Sequence, residues 1–472
     1  MQLTQLSTYL HATVYGQATF DRVTDRLDQA AEGVLFVCIK GNRRDTHLDA
    51  TLLKQKGVAA LVVERKLDVD LPQMVVEDTR GALGLIAHRL AFDPTSRLKL
   101  VGVTGTNGKT SICYILRKVF TKAGYKCCYI GTLGVVDEKG MTSDTPLTTP
   151  DPLDLVEMLS KMADRGVQYV FLEVSAHALH YRKIAGCRFA ATIFTNLTQD
   201  HLDFFDNMER YAQAKRSLFC PEYTSLGIVN SDDELGRSIL KERKVPLLSY
   251  GLYNPADVFA ILMREDADGM DFTLNAYDMI YRIRTTLHGE WSVYNVLAVA
   301  TCAGYFGIAP ATVQQVLAQI EVPGRFSVRQ RGGVYFVVDY AHTPDGLQKS
   351  LATCRAMTQG KVIVVFGCGG ERDKDKRSKM GRIAEKGADY VIVTSDNPRG
   401  EEPLAIIRDI EAGISGDDKV EICPDRADAI RLACDRAKGG DVVLVAGKGA
   451  ETYIDVAGLK IPYSDFDVIE KL

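Results

Sequence analysis

The chain has 472 residues, more than one hydrophobic core usually supports, so its length predicts about three domains. Hydrophobic residues make up 46% and charged residues 25%, and the net charge of −4 excludes a broad attraction to nucleic acid or to an anionic membrane. The eleven cysteines form no CxxC pair, and no apolar run approaches the roughly 18 residues of a membrane-spanning helix. These features predict a soluble cytoplasmic protein that binds no nucleic acid and inserts in no membrane.

The apolar runs of the chain fall into three segments. In residues 1–97, VLFVCI and VAALVVE alternate with polar loops, which predicts a small N-terminal α/β domain. In residues 98–321, LKLVGV, YVFLEV, ATIFTN and LGIVN recur between helical stretches, as is typical of a largely parallel sheet with crossover helices. Pro323 and Gly324 then interrupt the pattern. Residues 322–472 repeat it with VYFVVDY, KVIVVF, DYVIVT and DVVLVA, which predicts a Rossmann-like domain.

A phosphate-binding loop is predicted at TGTNGKT, residues 104–110, between a strand-like run and a helical pattern. The pattern G-x-x-x-x-G-K-S/T fits only with its first glycine shifted, because Gly102 lies one residue too far away. A plain connecting turn is the alternative, but Lys109 and Thr110 are placed to reach the terminal phosphates and Mg²⁺. The predicted ATP-binding residues are Gly105, Thr106, Asn107, Gly108, Lys109 and Thr110. The predicted fold class is therefore α/β, with a central P-loop parallel-sheet ATPase domain.

Polar residues follow two further strands of the central domain. Glu173 ends one strand-like run, and Asp200 and His201 follow another, so all three are expected near the phosphate loop. Glu173 and His201 are suitable donors for a divalent ion there. Each alone could equally be a satisfied polar residue at a strand end. In the helical stretch ERYAQAKRSLF, the stripe of Tyr211, Ala214 and Leu218 is predicted to face the core. On composition alone, Lys215 is expected to be a solvated surface lysine.

The third segment concentrates charged groups after its strands. Arg372 and Arg399 could pair with a carboxylate and Glu451 with an amine, which would suit a zwitterionic ligand. The run ERDKDKR could instead be a solvated charged stretch, although its position after a strand and GCGG favours a ligand loop.

Nine motifs in order resemble the Mur ligase family over nearly the whole chain, and least in the first domain: TGTNGKT, LTTPDPLDL, LEVSAHAL, FTNLTQDHLDFFDNMERYAQAKRSLF, VPGRF, VDYAHTPDGL, GCGGERDKDKR, DNPRGEEP and GKGAETY. The resemblance implies that ATP phosphorylates the free carboxylate of UDP-N-acetylmuramoyl-L-alanyl-D-glutamate, and that an amine then captures the acyl phosphate as an amide. Diaminopimelate-adding members carry DNPR, so the resemblance implies meso-2,6-diaminopimelate as the second partner, in peptidoglycan precursor synthesis by a monomer. The second carboxylate of diaminopimelate would pair with Arg399, whereas lysine would leave that guanidinium unpaired.

The resemblance also implies roles for particular residues. The metal ligands would be Thr110, Glu173, His201 and Lys215, the last as a carbamylated lysine. Further ATP contacts would come from Asn295, Arg325 and His342. Contacts to the UDP-linked substrate would come from Asp25, Thr148, Thr149, Ser175 and either Arg182 or Lys183. The amino acid would contact Arg372, Asp396, Asn397, Arg399, Gly447 and Glu451. The catalytic residues would be Lys109, Lys215 and His201.

The chain departs from the family pattern in several places. The family's S-S-H reads S-A-H at Ala176, its G-K-G-H-E has Ala450, and its uridine loop D-S-R reads Thr24-Asp25-Arg26. These departures leave open a paralogue that ligates another carboxylate and amino acid, or the lysine-adding form. A kinase or nucleotide-dependent switch would use the same loop but would leave the arginines of the third segment unexplained.

Overall fold

The computed structural model of the chain describes residues 1–41, 44–145, 147–266, 268–416 and 418–472. The N-terminal segment forms a five-stranded sheet in the order β1-β5-β4-β3-β2, in which only the β1–β5 pair is antiparallel. Its strands are β1 (Thr13–Tyr15), β2 (Arg22–Thr24), β3 (Val34–Val37), β4 (Ala60–Val63) and β5 (Gln73–Val75). Its α-helices are α1 (Leu3–Leu10), α2 (Ala50–Gln55) and α3 (Thr79–Leu90), and 3₁₀ turns cover Leu27–Gln29, Thr46–Asp49 and Pro94–Ser96. The strands β3 and β4 are wholly buried, as the predicted continuous apolar runs require.

The central segment forms an eleven-stranded sheet in the order β16-β15-β14-β13-β12-β11-β6-β10-β7-β8-β9. Its first strands are β6 (Lys99–Thr104), β7 (Cys127–Gly131), β8 (Gly134–Val136), β9 (Thr142–Ser143), β10 (Tyr169–Glu173) and β11 (Phe189–Phe194). The later strands are β12 (Gly227–Asn230), β13 (Leu247–Gly251), β14 (Val258–Asp266), β15 (Gly269–Ala276) and β16 (Met279–Thr285). Its helices are α4 (Lys109–Lys122), α5 (Pro152–Asp164), α6 (Ala176–His180), α7 (Leu202–Phe205), α8 (Met208–Arg216), α9 (Glu234–Glu242), α10 (Glu290–Tyr305) and α11 (Pro310–Leu317).

This sheet is parallel in its middle, as predicted, but antiparallel at both ends. The strands from β14 to β7 run parallel, whereas β8 and β9 extend one end and β15 and β16 extend the other in antiparallel pairs. Only Thr132 and Leu133 connect β7 to β8, and only Tyr277 and Asp278 connect β15 to β16. A two-residue connection permits a hairpin, whereas a parallel crossover needs a dozen residues or more. The prediction of a largely parallel sheet is therefore confirmed, and the short connections account for the antiparallel strands at its two edges.

The C-terminal segment forms a six-stranded sheet in the order β17-β18-β22-β19-β20-β21, parallel except for β17, and a separate hairpin of β23 and β24. The strands are β17 (Ser327–Arg331), β18 (Val334–Asp339), β19 (Val362–Phe366), β20 (Tyr390–Val393), β21 (Val420–Ile422), β22 (Val442–Ala446), β23 (Tyr453–Val456) and β24 (Leu459–Pro462). The helices are α12 (Pro344–Met357), α13 (Asp375–Gly387), α14 (Pro403–Glu411), α15 (Arg426–Arg436) and α16 (Asp465–Glu470). The three sheets confirm the predicted α/β class.

Strand register brings the predicted loops together. In the central sheet, Glu173 pairs with Val103 and Phe194 with Thr104, so β6, β10 and β11 end at the same level. In the C-terminal sheet, the last residues of β18, β19, β20 and β22 are likewise aligned. Loops beyond the carboxyl ends of parallel strands form the usual ligand crevice of such sheets. No helix of the described residues is both long and apolar enough to cross a membrane.

Candidate active site

A cavity of about 840 Å³ lies where the strand-end loops of the central and C-terminal sheets face each other. Nearly all the residues predicted for ATP, for the metal and for the amino acid line it. From the central segment these are Thr106, Asn107, Gly108, Lys109, Thr110, Thr148, Glu173, Ser175, His201, Lys215 and Asn295. From the C-terminal segment they are Arg325, His342, Arg372, Asp396, Asn397, Arg399, Gly447 and Glu451. The other predicted residues, which do not line it, are Asp25, Gly105, Thr149, Arg182 and Lys183.

The phosphate loop is a tight turn between β6 and α4. Gly105 has a φ of 146°, and a Cβ atom there would lie 1.8 Å from Thr195 Oγ1, so no other residue fits. Thr195 Oγ1 donates to Asn107 O at 2.6 Å, and the Asn107 N–H donates to Asn196 Oδ1 at 3.0 Å. The end of β11 therefore braces the loop. Gly102 belongs to β6 and takes no part in the turn, which explains why its spacing misses the usual pattern.

Lys109 begins α4 with its ammonium group turned into the loop. Its Nζ donates to Gly105 O at 2.9 Å and to Thr106 O at 2.7 Å. Burial lowers the pKa of Lys109, and the negative charges of Glu173 and Asp200 oppose that shift. Within the described part of the chain, no carboxylate forms a salt bridge with this lysine. The cation is therefore placed in advance for an anionic ligand in the loop.

Lys215 is buried, with 1% of its surface exposed, so the composition-based expectation of a solvated lysine was wrong. In α8 it shares the buried face with Tyr211 and Ala212, and its Nζ lies 4.3 Å from the centre of the Tyr211 ring. The Nζ donates to Gly105 O at 2.8 Å. Burial lowers the pKa of Lys215 well below its ordinary value, and the nearby Lys109 charge lowers it further. The side chain is thus a buried amine touching the phosphate loop.

The other predicted metal ligands also lie in the cavity. Glu173, fully buried, accepts hydrogen bonds from the Tyr129 hydroxyl, from Thr132 N at 3.0 Å and from Thr132 Oγ1 at 3.1 Å. Its Oε2 meets only the Thr132 hydroxyl among these, so it retains acceptor capacity. The Thr110 hydroxyl accepts from Arg325 Nη2 at 2.9 Å.

His201 supplies a neutral nitrogen beside these oxygens. Burial lowers its pKa to about 3 despite Asp200, whose Oδ2 lies 3.3 Å from His201 Nε2. Carboxylate, hydroxyl and neutral imidazole groups fit a divalent cation. Among the described residues, no group of three or more His, Cys, Asp or Glu side chains is placed to hold a metal ion. The predicted ligand set contains only one Glu and one His, and its other two members are a threonine and a lysine.

Two more predicted nucleotide contacts flank the loop. Asn295 Oδ1 lies so close to Gly108 that a Cβ atom on that glycine would be 2.6 Å from it. His342 Nδ1 lies 2.8 Å from Tyr340 O, and burial lowers the pKa of His342 to about 4. The imidazole is therefore neutral at pH 7 and donates its Nδ1 proton to that carbonyl.

The predicted contacts to the UDP-linked substrate divide into two groups. Thr148 and Ser175 line the cavity, and buried Thr149 braces them by donating to Glu173 O at 2.8 Å and accepting from Ser175 N at 3.1 Å. The basic side chains lie outside the cavity, where the N-terminal and central segments meet.

Carboxylates neutralise both of these basic side chains. Arg182 Nε lies 3.1 Å from Asp78 Oδ2, its Nη2 lies 3.1 Å from Glu222 Oε1, and Lys183 Nζ lies 2.7 Å from Asp151 Oδ1. Asp25 is near Asp151 in this region. Burial raises the pKa of Asp25, and the negative charge of Asp151 raises it further. The structure does not bring Asp25, Arg182 or Lys183 into the cavity.

The predicted amino-acid contacts come from three loops of the C-terminal sheet. Asn397 Nδ2 donates to Glu451 Oε2 at 2.8 Å, and Arg399 Nη1 donates to Gly370 O at 2.8 Å. Arg399 has a φ of 50°, a left-handed conformation, and its backbone bonds to the β23–β24 hairpin through Asp455 O and Ala457 N. The loops therefore form one connected wall carrying two arginines and a carboxylate.

Sequence reasoning missed several residues of the site. Thr132 binds Glu173 from a two-residue hairpin that carried no motif. Lys448 Nζ donates to Asn397 Oδ1 at 3.1 Å and to Glu451 Oε2 at 2.8 Å, and the glycines around it were the available signal. Lys376, only 7% exposed, lines the cavity, so the ERDKDKR run is not simply a solvated charged stretch.

Comparison with known proteins gives consistent matches. Residues 103–303 match the family model of the Mur ligase middle domain, and residues 324–449 match the Mur ligase glutamate ligase domain. Relatives from Aquifex aeolicus and Bacillus velezensis are both named UDP-N-acetylmuramoyl-L-alanyl-D-glutamate–2,6-diaminopimelate ligase. The first is 40% identical over 451 residues, which cover 95% of this chain and 93% of the relative. The second is 41% identical over 483 residues, which cover 99% and 98%.

A solved structure described as a UDP-N-acetylmuramoyl-L-alanyl-D-glutamate–2,6-diaminopimelate ligase has the same fold. It superposes with a TM-score of 0.71 at 30% identity, covering 96% of this chain and 94% of the other. The likeness therefore extends over all three sheets and both walls of the cavity.

Proposed function

This chain belongs to the Mur ligase family, and we propose that it adds meso-2,6-diaminopimelate to UDP-N-acetylmuramoyl-L-alanyl-D-glutamate at the expense of ATP. The observation that carries the proposal is a single cavity that joins a phosphate loop to a wall with two arginines and a carboxylate. A nucleotide-dependent kinase or switch has no use for that wall.

The reaction proceeds in two steps. The γ-phosphoryl group passes from ATP to an oxygen of the free D-glutamate carboxylate, giving ADP and an acyl phosphate. An amine of diaminopimelate then attacks the acyl carbon and loses a proton, and the bond between carbon and the phosphate oxygen breaks to leave an amide and inorganic phosphate. Lys109 offsets negative charge on the transferring group, and the two facing walls hold the reactants together.

A divalent cation completes this charge balance. Mg²⁺ would be held by Thr110, Glu173 and His201, and when bound it neutralises charge on the phosphates. We infer that Lys215 is carbamylated, because its buried amine with a lowered pKa can add to CO₂ with release of a proton. The carbamate would replace an ammonium group by an oxygen ligand next to the loop.

The wall that carries Arg372, Arg399 and Glu451, here called the acceptor wall, accounts for the choice of amino acid. Diaminopimelate carries two carboxylates, and Arg372 and Arg399 supply one guanidinium for each, while Glu451, oriented by Asn397, receives an ammonium group. Lysine has one carboxylate and would leave a guanidinium unpaired, which disfavours it.

We further propose a cytoplasmic monomer with domains at 1–97, 98–321 and 322–472. Each of the three sheets falls within one of these segments, and residues of a single chain line the cavity. All eleven cysteines, each in the described part of the chain, are unpaired, which suits a reducing compartment. Light scattering and limited proteolysis at the two boundaries test these assignments.

The test of the function is phosphate release by the full chain with ATP, Mg²⁺ and the UDP-linked dipeptide. We expect release to require an added amino acid, and diaminopimelate to be used at least about 100-fold better than lysine. Release that ignores the amino acid would support a kinase or switch. Failure of the UDP-linked dipeptide to bind in calorimetry would support a paralogue with another carboxylate substrate.

A further inference from the structure

Two loops carry the arginines of the acceptor wall, and their spacing decides whether both can engage one ligand. Arg372 lies between β19 and α13, and Arg399 lies between β20 and α14. The loops are in contact, since the Gly370 N–H donates to Asn397 O at 2.9 Å. A Cβ atom on Gly370 would lie 2.0 Å from Pro398 O, so the approach is as close as two backbones allow.

A buried ion pair behind the wall ties the same loops together. Arg377, fully buried in the first turn of α13, donates from Nη1 to Glu401 Oε2 and from Nη2 to Glu401 Oε1, both at 2.9 Å. Glu401 lies two residues after Arg399. Its Oε1 also accepts from the backbone N–H of Glu371, the residue before Arg372. Guanidinium and carboxylate pair in one plane when bidentate, so this contact fixes orientation as well as distance.

Arg377 has a second carboxylate partner that does not involve the loops. Its Nη1 lies 2.8 Å from Asp409 Oδ2, which belongs to α14 and is about half exposed. Glu401 therefore connects loop to loop, whereas Asp409 connects helix to helix. Neither Arg377 nor Glu401 lines the cavity, so neither can touch the amino acid directly.

We propose that the Arg377–Glu401 pair is a positioning device that sets the separation of the Arg372 and Arg399 guanidinium groups, and thereby selects an amino acid with two carboxylates. The inference rests on the proposed function and assigns its selectivity to residues outside the pocket. If the Arg377–Glu401 contact is lengthened or lost, the separation of the two arginines is no longer fixed. Diaminopimelate then loses its second ion pair, whereas the binding of lysine changes little.

The test compares Glu401→Gln with Asp409→Asn. Both substitutions replace one carboxylate partner of Arg377 by an amide of the same shape, but only the first loosens the tie between the loops. For Glu401→Gln we expect the KM for diaminopimelate to rise about 10-fold, the preference over lysine to fall by a similar factor, and the KM for ATP to stay within about 2-fold. For Asp409→Asn we expect selectivity to remain that of the unmodified chain.

A purely structural role would give a different pattern. If Glu401→Gln lowers the melting temperature and kcat while the preference for diaminopimelate is kept, or if both variants change selectivity equally, the proposal is wrong. Glu401→Asp keeps the charge but shortens the reach, and serves if the glutamine variant does not fold; an unchanged preference in a folded aspartate variant also overturns the proposal. Failure of the unmodified chain to use diaminopimelate would instead refute the proposed function.

Discussion

The lysines at the nucleotide cavity and the basic side chains at the N-terminal interface meet different partners. Among the residues that the structure describes, Lys109 and Lys215 donate hydrogen bonds only to backbone carbonyls of the phosphate loop, whereas Arg182 and Lys183 each lie against carboxylates. A buried ammonium group without a countercharge is costly, so such a lysine either attracts an anion or loses its proton. A paired cation at a half-exposed interface is already neutralised. The difference teaches that the first pair is open to an anion or to modification, whereas the second pair would bind a charged substrate only if its carboxylate partners were displaced.

The largest effect should come from Lys109→Ala. In the proposed mechanism the Lys109 ammonium group offsets charge on the transferring phosphate, so its removal should lower the turnover number about 1,000-fold, measured as phosphate release. Lys122→Ala is a matched control, because Lys122 is exposed at the other end of the same helix. Equal turnover numbers for the two variants would show that the buried Lys109 matters no more for the reaction than the exposed Lys122.

Lys215→Ala should lower turnover about 100-fold, because the substitution removes the proposed carbamate and with it an oxygen ligand next to the loop. Added acetate or formate should restore part of the rate by entering the space left by the side chain. The same acids should do nothing for Lys109→Ala. If neither variant responds, Lys215 acts as a plain amine and the two buried lysines have the same role.

Arg399→Ala should reduce kcat/KM for diaminopimelate about 30-fold, corresponding to about 2 kcal/mol for a lost carboxylate partner. Arg399 lies between the two kinds of basic side chain, since its carboxylate neighbour is at the limit of an ion pair, with Asp455 Oδ2 3.9 Å from Arg399 Nε. The affinity for ATP, measured by calorimetry, should be unchanged. A parallel loss of ATP affinity would show that this arginine belongs with the phosphate-binding cations.

Arg182→Ala should have a smaller effect on both binding and stability. Its two ion pairs are partly exposed, so the free energy of unfolding in urea should fall by less than about 1 kcal/mol. The KM for the UDP-linked dipeptide should rise a few-fold, about the effect of losing one weakly placed charge. Arg188→Ala, at an exposed site six residues along, provides the control.

The smallest effect is a pH dependence at the paired Glu401. The Arg377 guanidinium lowers the pKa of Glu401 to about 2, below its ordinary value of 4.5. Its stabilising contribution is therefore complete above pH 4.5 and is lost as the pH falls toward 2. The urea midpoint of Glu401→Gln should lie below that of the unmodified chain at pH 7, and the difference should shrink at pH 3. A constant difference would mean that the charge contributes nothing.

Local sequence patterns predicted the parts of the site that lie at the ends of buried strands. Glu173 ends one buried strand, the phosphate loop and His201 follow two others, and strand register brings them together as expected. Composition wrongly predicted an exposed Lys215, because the tertiary contact that receives its amine, Gly105 O, lies 110 residues away in the sequence. The pairing of Arg182 with Asp78 and Glu222 is equally nonlocal, and no spacing rule contains it.

Two contacts cross from the C-terminal segment to the phosphate loop: Arg325 to the Thr110 hydroxyl, and Asp345 Oδ2 to Asn107 Nδ2 at 3.2 Å. A fragment cut at residue 321 would retain every backbone amide of the loop yet lose both contacts. Such a fragment should hold nucleotide more weakly than the intact polypeptide. The glycine-lysine motif therefore identifies only part of the nucleotide site, because the residues that contact the loop from the other side lie more than 200 residues later in the chain.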